Sequence, residues 1–194
     1  MTQTLEDVVY LLSETEPSRL TASTAEVAFI GRSNVGKSSL LNAVCRRDVA
    51  RVSNQPGRTR AINVFQAGFG RWLVDLPGYG FALGPEKERA GWGPMIEGYL
   101  KGRPTLRMVF ALIDAKVGPT KLDLDMVRWM EATDLPWRPV ATKADQVKPS
   151  RSLARRREAA HAMGLQAEDL AWVSAQDGFG VKELRGEVAA LLAD

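Results

Sequence analysis

The chain is poor in the side chains that do most metal and covalent chemistry, with one cysteine, Cys45, and one histidine, His161, among 194 residues. One cysteine excludes an internal disulfide framework and fits a reducing cytoplasmic setting. With one histidine, a His-based metal cluster or a Ser-His-Asp arrangement would have to be built around His161. That residue lies in a basic helical stretch, where a solvated side chain is the simpler reading. No apolar run approaches the roughly 20 residues of a membrane span. The stretch "MTQTLEDVVYLL" lacks the basic start of a signal peptide, so a cytoplasmic protein without a membrane partner is expected. What is present is ordinary for a globular chain: 45% hydrophobic and 25% charged residues, in a length that suits one substantial core. The net charge of +3 and a pI near 9.2 permit a polyanionic partner without demanding one.

Strand-like apolar runs alternate with segments of helical spacing. The strand candidates are "EVAFI" (26–30), "AINVFQA" (61–67), "RWLVDL" (71–76), "RMVFALIDA" (107–115), "RPVATKAD" (138–145) and "LAWVSA" (170–175). The second and third, separated by "GFG", read as a hairpin. "KSSLLNAVCRR", "DLDMVRWMEATD", "RSLARRREAAHAMG" and "VKELRGEVAALLAD" carry apolar residues at three- and four-residue spacing, as helices do. The expectation is an α/β fold: about six mostly parallel strands, one antiparallel, with helices on both faces. Residues 1–24 are read as an N-terminal extension and 25–194 as one domain.

Gly31-Arg32-Ser33-Asn34-Val35-Gly36-Lys37-Ser38 fits G-x-x-x-x-G-K-[ST], between a buried strand and a helix. Its backbone N–H groups can ring a β-phosphate, aided by the helix N-terminus. Lys37 would reach the β- and γ-phosphate oxygens, and the Ser38 hydroxyl would ligate Mg2+. A second strand ends at Asp75, placed to hold Mg2+ through water, and Asp75-Leu76-Pro77-Gly78 forms D-x-x-G. The Gly78 N–H can donate to the γ-phosphate, so this loop would move when that phosphate is lost.

Thr142-Lys143-Ala144-Asp145 resembles the guanine-specificity motif [NT]-K-x-D. Asp145 can accept from guanine N1–H and the exocyclic amine, which adenine cannot offer in that way. Lys143 can lay its alkyl stem over the base, and Thr142 would tie this loop to the phosphate loop. Val173, Ser174 and Ala175 follow the last strand, where a backbone N–H can read guanine O6. Four elements in this order predict a P-loop GTPase (G domain) that binds GTP and GDP. In "RRDVARVSNQPGRTRAINVF" (46–65), Thr59 is the first choice, ahead of Ser53, to close over the nucleotide, giving its hydroxyl to Mg2+ and its N–H to the γ-phosphate. Gly57, Arg58, Arg60 and Ala61 are counted with it as nucleotide contacts. Lys37, Thr59, Asn34 and Gly78 are the residues expected to act on the reacting phosphate.

"GRSNVGKSSLLNAV", "QPGRTRAINVF", "DLPGYGFA", "GWGPMIEGYL" and "ATKAD" together resemble the EngB (YsxC/YihA) family of ribosome-biogenesis GTP-binding proteins, over about residues 25 to 180. The resemblance implies a role in assembly of the large ribosomal subunit, with that particle or its precursor, including rRNA, as partner. It also implies a link to normal cell division and septation; a monomer is expected, though the sequence itself does not reveal the oligomeric state. Phe81, Gln146 and Ser174-Ala175 depart from the family's usual residues.

Tyr79 stands where Ras-like proteins carry the glutamine that orients the attacking water, so slow intrinsic hydrolysis with partner help is expected. Related GTPases with an asparagine at the place of Asn34 use it to hold K+; the simpler reading is that Asn34 tolerates an unusual backbone angle. Two basic clusters, Arg46, Arg47, Arg51, Arg58 and Arg60, and Lys148, Arg151, Arg155, Arg156 and Arg157, could meet rRNA phosphates or be solvated faces. The competing readings are a GTP-dependent binding module or scaffold on rRNA with incidental hydrolysis, and a P-loop kinase or ATPase, which "TKAD" argues against.

Overall fold

In the computed structural model, residues 5–51, 61–79 and 93–193 are described. They form a seven-stranded sheet with five α-helices among the described residues. The strands are β1 (Val9–Glu14), β2 (Ala25–Gly31), β3 (Ile62–Gln66), β4 (Arg71–Asp75), β5 (Leu106–Asp114), β6 (Trp137–Thr142) and β7 (Ala171–Trp172). The helices are α1 (Lys37–Cys45), α2 (Gly93–Gly102), α3 (Lys121–Ala132), α4 (Pro149–Ala162) and α5 (Val181–Ala193). The sheet order is β1-β3-β4-β2-β5-β6-β7. Only β3 runs against its neighbours, pairing antiparallel with both β1 and β4. The sheet has one strand more than expected, because Val9–Glu14 adds an edge strand.

The central strands are buried on both faces, and their side chains divide by parity. On β2, Ala28 and Ile30 join one apolar cluster, and Val27 and Phe29 the other. On β5, Val109, Ala111 and Ile113 fall on the first side, and Phe110 and Leu112 on the second. This is the period of two that a doubly covered sheet requires. Helices α1 and α5 cover the second face through Leu40, Leu41 and Val44, and Val181, Leu184, Val188 and Leu192. Helices α2, α3 and α4 cover the first through Tyr99, Met126, Met130 and Ala160. Cys45 is buried in the second cluster, and burial pushes its thiol up to about 12, so it is chemically quiet. His161 is exposed, as expected.

Because β4, β2, β5 and β6 are parallel, Asp75, Gly31, Asp114 and Thr142 all emerge at one edge of the sheet. After β2 the chain builds the sheet on one side, and from β5 onward it builds on the other. The crevice beyond the carboxyl ends at such a reversal is where open α/β sheets bind ligands. Among the described residues no helix is long and apolar enough to cross a membrane.

Candidate functional site

The phosphate loop leaves β2 at Gly31 and enters α1 at Lys37. A Cβ on Gly31 would come within 2.9 Å of both Leu112 O and Val35 Cγ1, so only glycine fits. Asn34 and Gly36 hold left-handed φ values of 65° and 98°, which curl the loop back onto its helix. Leu40 N–H already donates to Gly36 O, the first bond of α1. Lys37 is buried, and its ammonium is paired with the buried Asp75 carboxylate at the end of β4. Ser38 sits half-buried on the first turn.

The segment after Asp75 lies directly on this loop. Tyr79 N–H donates to Gly31 O at 3.2 Å, and Ser33 N–H donates to Tyr79 O at 3.1 Å, forming a parallel bridge between Arg32 and Tyr79. Gly78 is therefore pressed against the loop; a Cβ there would meet Ser33 N at 3.1 Å. The Tyr79 ring turns into the apolar cluster, and its hydroxyl donates to Asp123 Oδ1 at 2.7 Å. Burial, then the charge and hydrogen bond of Asp123, raise this phenol well above its ordinary value, so it stays protonated.

The third strand end is bound to the same loop. Thr142 Oγ1 donates to Val35 O at 2.5 Å and lies 3.0 Å from Ile113 O. Lys143, at φ 58°, sends its ammonium to Asn34 O at 2.7 Å and to Asp114 Oδ2 at 2.8 Å. Burial raises the Asp114 carboxyl, but the Lys143 hydrogen bond and the N–H groups of Val117 and Lys116 outweigh it, leaving the carboxyl below its ordinary range. Asp145 is exposed, with Oδ1 accepting from Ser174 Oγ at 2.8 Å. Ala144 N–H donates to Val173 O, which ties this motif to the last strand end. Ala175 is half-buried on the turn that follows.

Most residues nominated from the sequence thus gather on one edge: Gly31 to Ser38, Asp75 to Gly78, Thr142 to Asp145, and Val173 to Ala175. Ala61 is half-buried just before β3. Gly57, Arg58, Thr59, Arg60 and Phe81 lie outside the described residues. Two aspartates were missed. Asp114 closes an apolar strand just as Asp75 does, and that shared pattern was the available signal. Asp123 belongs to Thr120-x-x-Asp123, a helix-start pattern, and its carboxylate accepts the Thr120 N–H at 2.7 Å. Of the second basic cluster, Arg155 donates to Lys116 O and Val117 O, and Arg156 to Leu170 O. Both hold carbonyls of the fold, leaving Lys148, Arg151 and Arg157 as the exposed members.

A strand–glycine loop–helix bound to a D-x-x-G turn and a [NT]-K-x-D turn, on this sheet, defines a P-loop GTPase. The family model described as 50S ribosome-binding GTPase matches residues 26–143. A probable GTP-binding protein EngB of Thermotoga maritima is 43% identical over 170 residues, covering 87% of this chain and 87% of the relative. Another, from Desulforapulum autotrophicum, is 40% identical over 190 residues, covering 97% and 98%. The crystal structure of a probable GTP-binding protein engB superposes with a TM-score of 0.68 at 19% identity, over 87% of this chain and 99% of that one. The chain belongs to the EngB family of GTP-binding proteins.

Proposed function

We propose that this GTPase is a slow switch acting in the cytoplasm on assembly of the large ribosomal subunit, with the family's link to cell division and septation. The observation that carries the switch is the Arg32–Tyr79 bridge, which seats Gly78 against the phosphate loop. A γ-phosphate in that loop would meet the Gly78 N–H directly, and its loss would remove that contact. The ribosomal partner rests on the description of the family model matched above. Residues 25–194 would act as one G domain, as a monomer, with residues 1–24 as an extension.

The donor set suits Mg2+. Among the described residues there is no group of three or more His, Cys, Asp or Glu that would make an all-protein cage. A hard cation that keeps several waters needs only the Ser38 hydroxyl, a carboxylate such as Asp75 nearby, and phosphate oxygens. When bound, Mg2+ would neutralise charge on the β- and γ-phosphates. Lys37, now paired with Asp75, would turn its ammonium to those oxygens, and Thr59 would complete the enclosure. Asn34 is exposed at the mouth of the loop, where its side chain could hold K+; its φ of 65° also fits the simpler backbone role. Equal hydrolysis rates in matched K+ and Na+ buffers would remove the potassium role.

Guanine would be read by Asp145, oriented by Ser174, with the backbone of Val173 to Ala175 near O6. Asp145→Asn should move preference from guanine toward xanthine nucleotides in a binding competition. The deciding experiment is co-sedimentation with large ribosomal subunits, loaded with GDP or a non-hydrolysable GTP analogue. Binding with the analogue alone is the expected result. Binding independent of nucleotide would sink the switch. A second reading, a GTP-dependent module on rRNA with incidental hydrolysis, is favoured by Tyr79, whose hydroxyl is committed to Asp123 and so not aimed at a water. Phosphate release unchanged by added subunits would favour that reading.

A further inference from the structure

The phosphate loop and the D-x-x-G turn are joined by one β-bridge, and a single carboxylate holds both side chains of that bridge. In a parallel bridge the paired residues project to the same side, and here Arg32 and Tyr79 both project toward Asp123. The Tyr79 hydroxyl donates to Oδ1 at 2.7 Å, and Arg32 Nε lies 3.3 Å from Oδ2. Asp123 itself is only 1% exposed. It is fixed in turn by the N-terminus of α3, where Oδ2 accepts from Thr120 N and Thr120 Oγ1, each at 2.7 Å. Its two oxygens thus serve three segments: the phosphate loop, the D-x-x-G turn and the start of α3.

The bridge has just two main-chain bonds among the described residues, at 3.1 and 3.2 Å. The strand pairing alone is a weak hold on Gly78. A buried carboxylate accepting from a tyrosine and facing an arginine is a stronger one. We propose that Asp123 is a positioning residue for γ-phosphate recognition, holding the Arg32–Tyr79 bridge so that the Gly78 N–H faces the phosphate. This rests on the reading of Gly78 as the γ-phosphate sensor. It assigns Tyr79 a task unlike that of the glutamine in Ras-like proteins: it steadies the sensor instead of ordering water. It also makes the fit to GTP depend on α3, whose N-terminus holds the Asp123 carboxylate.

The test compares equilibrium affinities for GDP and a non-hydrolysable GTP analogue in the full chain, Tyr79→Phe, Asp123→Asn and the double variant. Each single variant should lose about tenfold in analogue affinity relative to GDP, the size of one hydrogen bond to a charged acceptor. The double variant should lose little more than either single one, because both act through one contact. Equal losses for both nucleotides, no loss, or full additivity would overturn the proposal. If Asp123→Asn does not fold, Tyr79→Phe, which deletes one oxygen, decides alone by its analogue-to-GDP ratio. Amide exchange at Gly78 in the wild-type chain separates the two levels. Protection by the analogue over GDP with unshifted ratios in the variants overturns the positioning role alone. No such protection overturns the sensor reading and this proposal together.

Discussion

The molecule uses the same trio twice, at opposite ends of its sheet. At the nucleotide end, Asp123 takes the Tyr79 hydroxyl and faces Arg32. At the other end, Glu26 near the start of β2 takes the Tyr99 hydroxyl at 2.5 Å and Arg103 Nε at 2.8 Å. The rear site is the more complete. Ser23 and Thr105 also donate to Glu26, and Arg103 donates to Thr21 O and stacks over Trp72 at 5.1 Å. Arg103 is 10% exposed, whereas Arg32 is 27% exposed and, among the described residues, its Nε makes only the 3.3 Å contact to Asp123. Tyr79 directly follows the D-x-x-G turn, and Tyr99 lies within α2. The difference teaches how one chemistry can serve two purposes. A saturated, sealed site makes a fixed point, and under the proposal above the sparser one is a point that a bound nucleotide would bias.

The largest way to break this contrast is Glu26→Ala, which leaves the buried Tyr99 hydroxyl without its acceptor and the Arg103 guanidinium without its counter-charge. It should cost about 3–5 kcal/mol of stability, read by denaturant unfolding. The analogue-to-GDP affinity ratio should stay unchanged. A shift in that ratio would mean that the rear site is not merely a fixed point.

Acid provides a milder probe of the same site. Burial alone would raise the Glu26 carboxyl, but its hydrogen bonds from Arg103, Ser23 and Tyr99 bring it below the ordinary value of 4.5. A carboxyl lowered on folding contributes stability that is complete above the unfolded value and is lost as pH falls through the folded one. Wild-type stability should therefore decline from about pH 4.5 downward, and Glu26→Gln should flatten that decline in denaturant titrations at stepped pH. An equal slope in the variant would assign the acid sensitivity to other carboxyls, Asp114 among them.

Much of the fold and most of the crevice were legible because each motif is contiguous: a strand end, a turn with the right residues, then a helix. Gly31 to Ser38, Asp75 to Gly78 and Thr142 to Asp145 carry their chemistry within four to eight residues. The two trios were not legible, because Tyr79 and Asp123 are 44 residues apart and Glu26 and Tyr99 are 73 apart. No local spacing announces such pairs. Strand β1 escaped notice because Val9, Tyr10 and Leu11 are successive exposed apolar residues, which breaks the alternation that marks a half-buried strand. Helix α2 escaped because Gly93, Pro94, Gly98 and Gly102 give it poor helix propensity, so its burial of Ile96, Tyr99 and Leu100 decides the matter. Strand β7 shrank to two residues, since the chain turns at Val173 to present Ser174 to Asp145.

An intermediate probe removes one oxygen from each trio. Tyr99→Phe and Tyr79→Phe should each lower stability by about 1–3 kcal/mol, since each takes a hydrogen bond from a buried carboxylate. Tyr99→Phe should cost the more precise fixed point without touching nucleotide preference, while Tyr79→Phe should disturb preference as well. Equal behaviour of the two variants in GDP and analogue binding would erase the distinction between the two ends.

The finest probe exchanges arginine for lysine at each end. Lysine keeps the charge but replaces the planar fork with a single compact donor group. At Arg103 that removes contacts to Glu26, the Leu20 and Thr21 carbonyls and the Trp72 ring together, so Arg103→Lys should cost about 2 kcal/mol. At Arg32 the loss is one partly exposed contact at 3.3 Å, and solvent screens what remains. Arg32→Lys should therefore cost under about 1 kcal/mol in the same unfolding measurement. If Arg32→Lys proved as costly as Arg103→Lys, the front trio would be as sealed as the rear one. The nucleotide would then have no room to bias it.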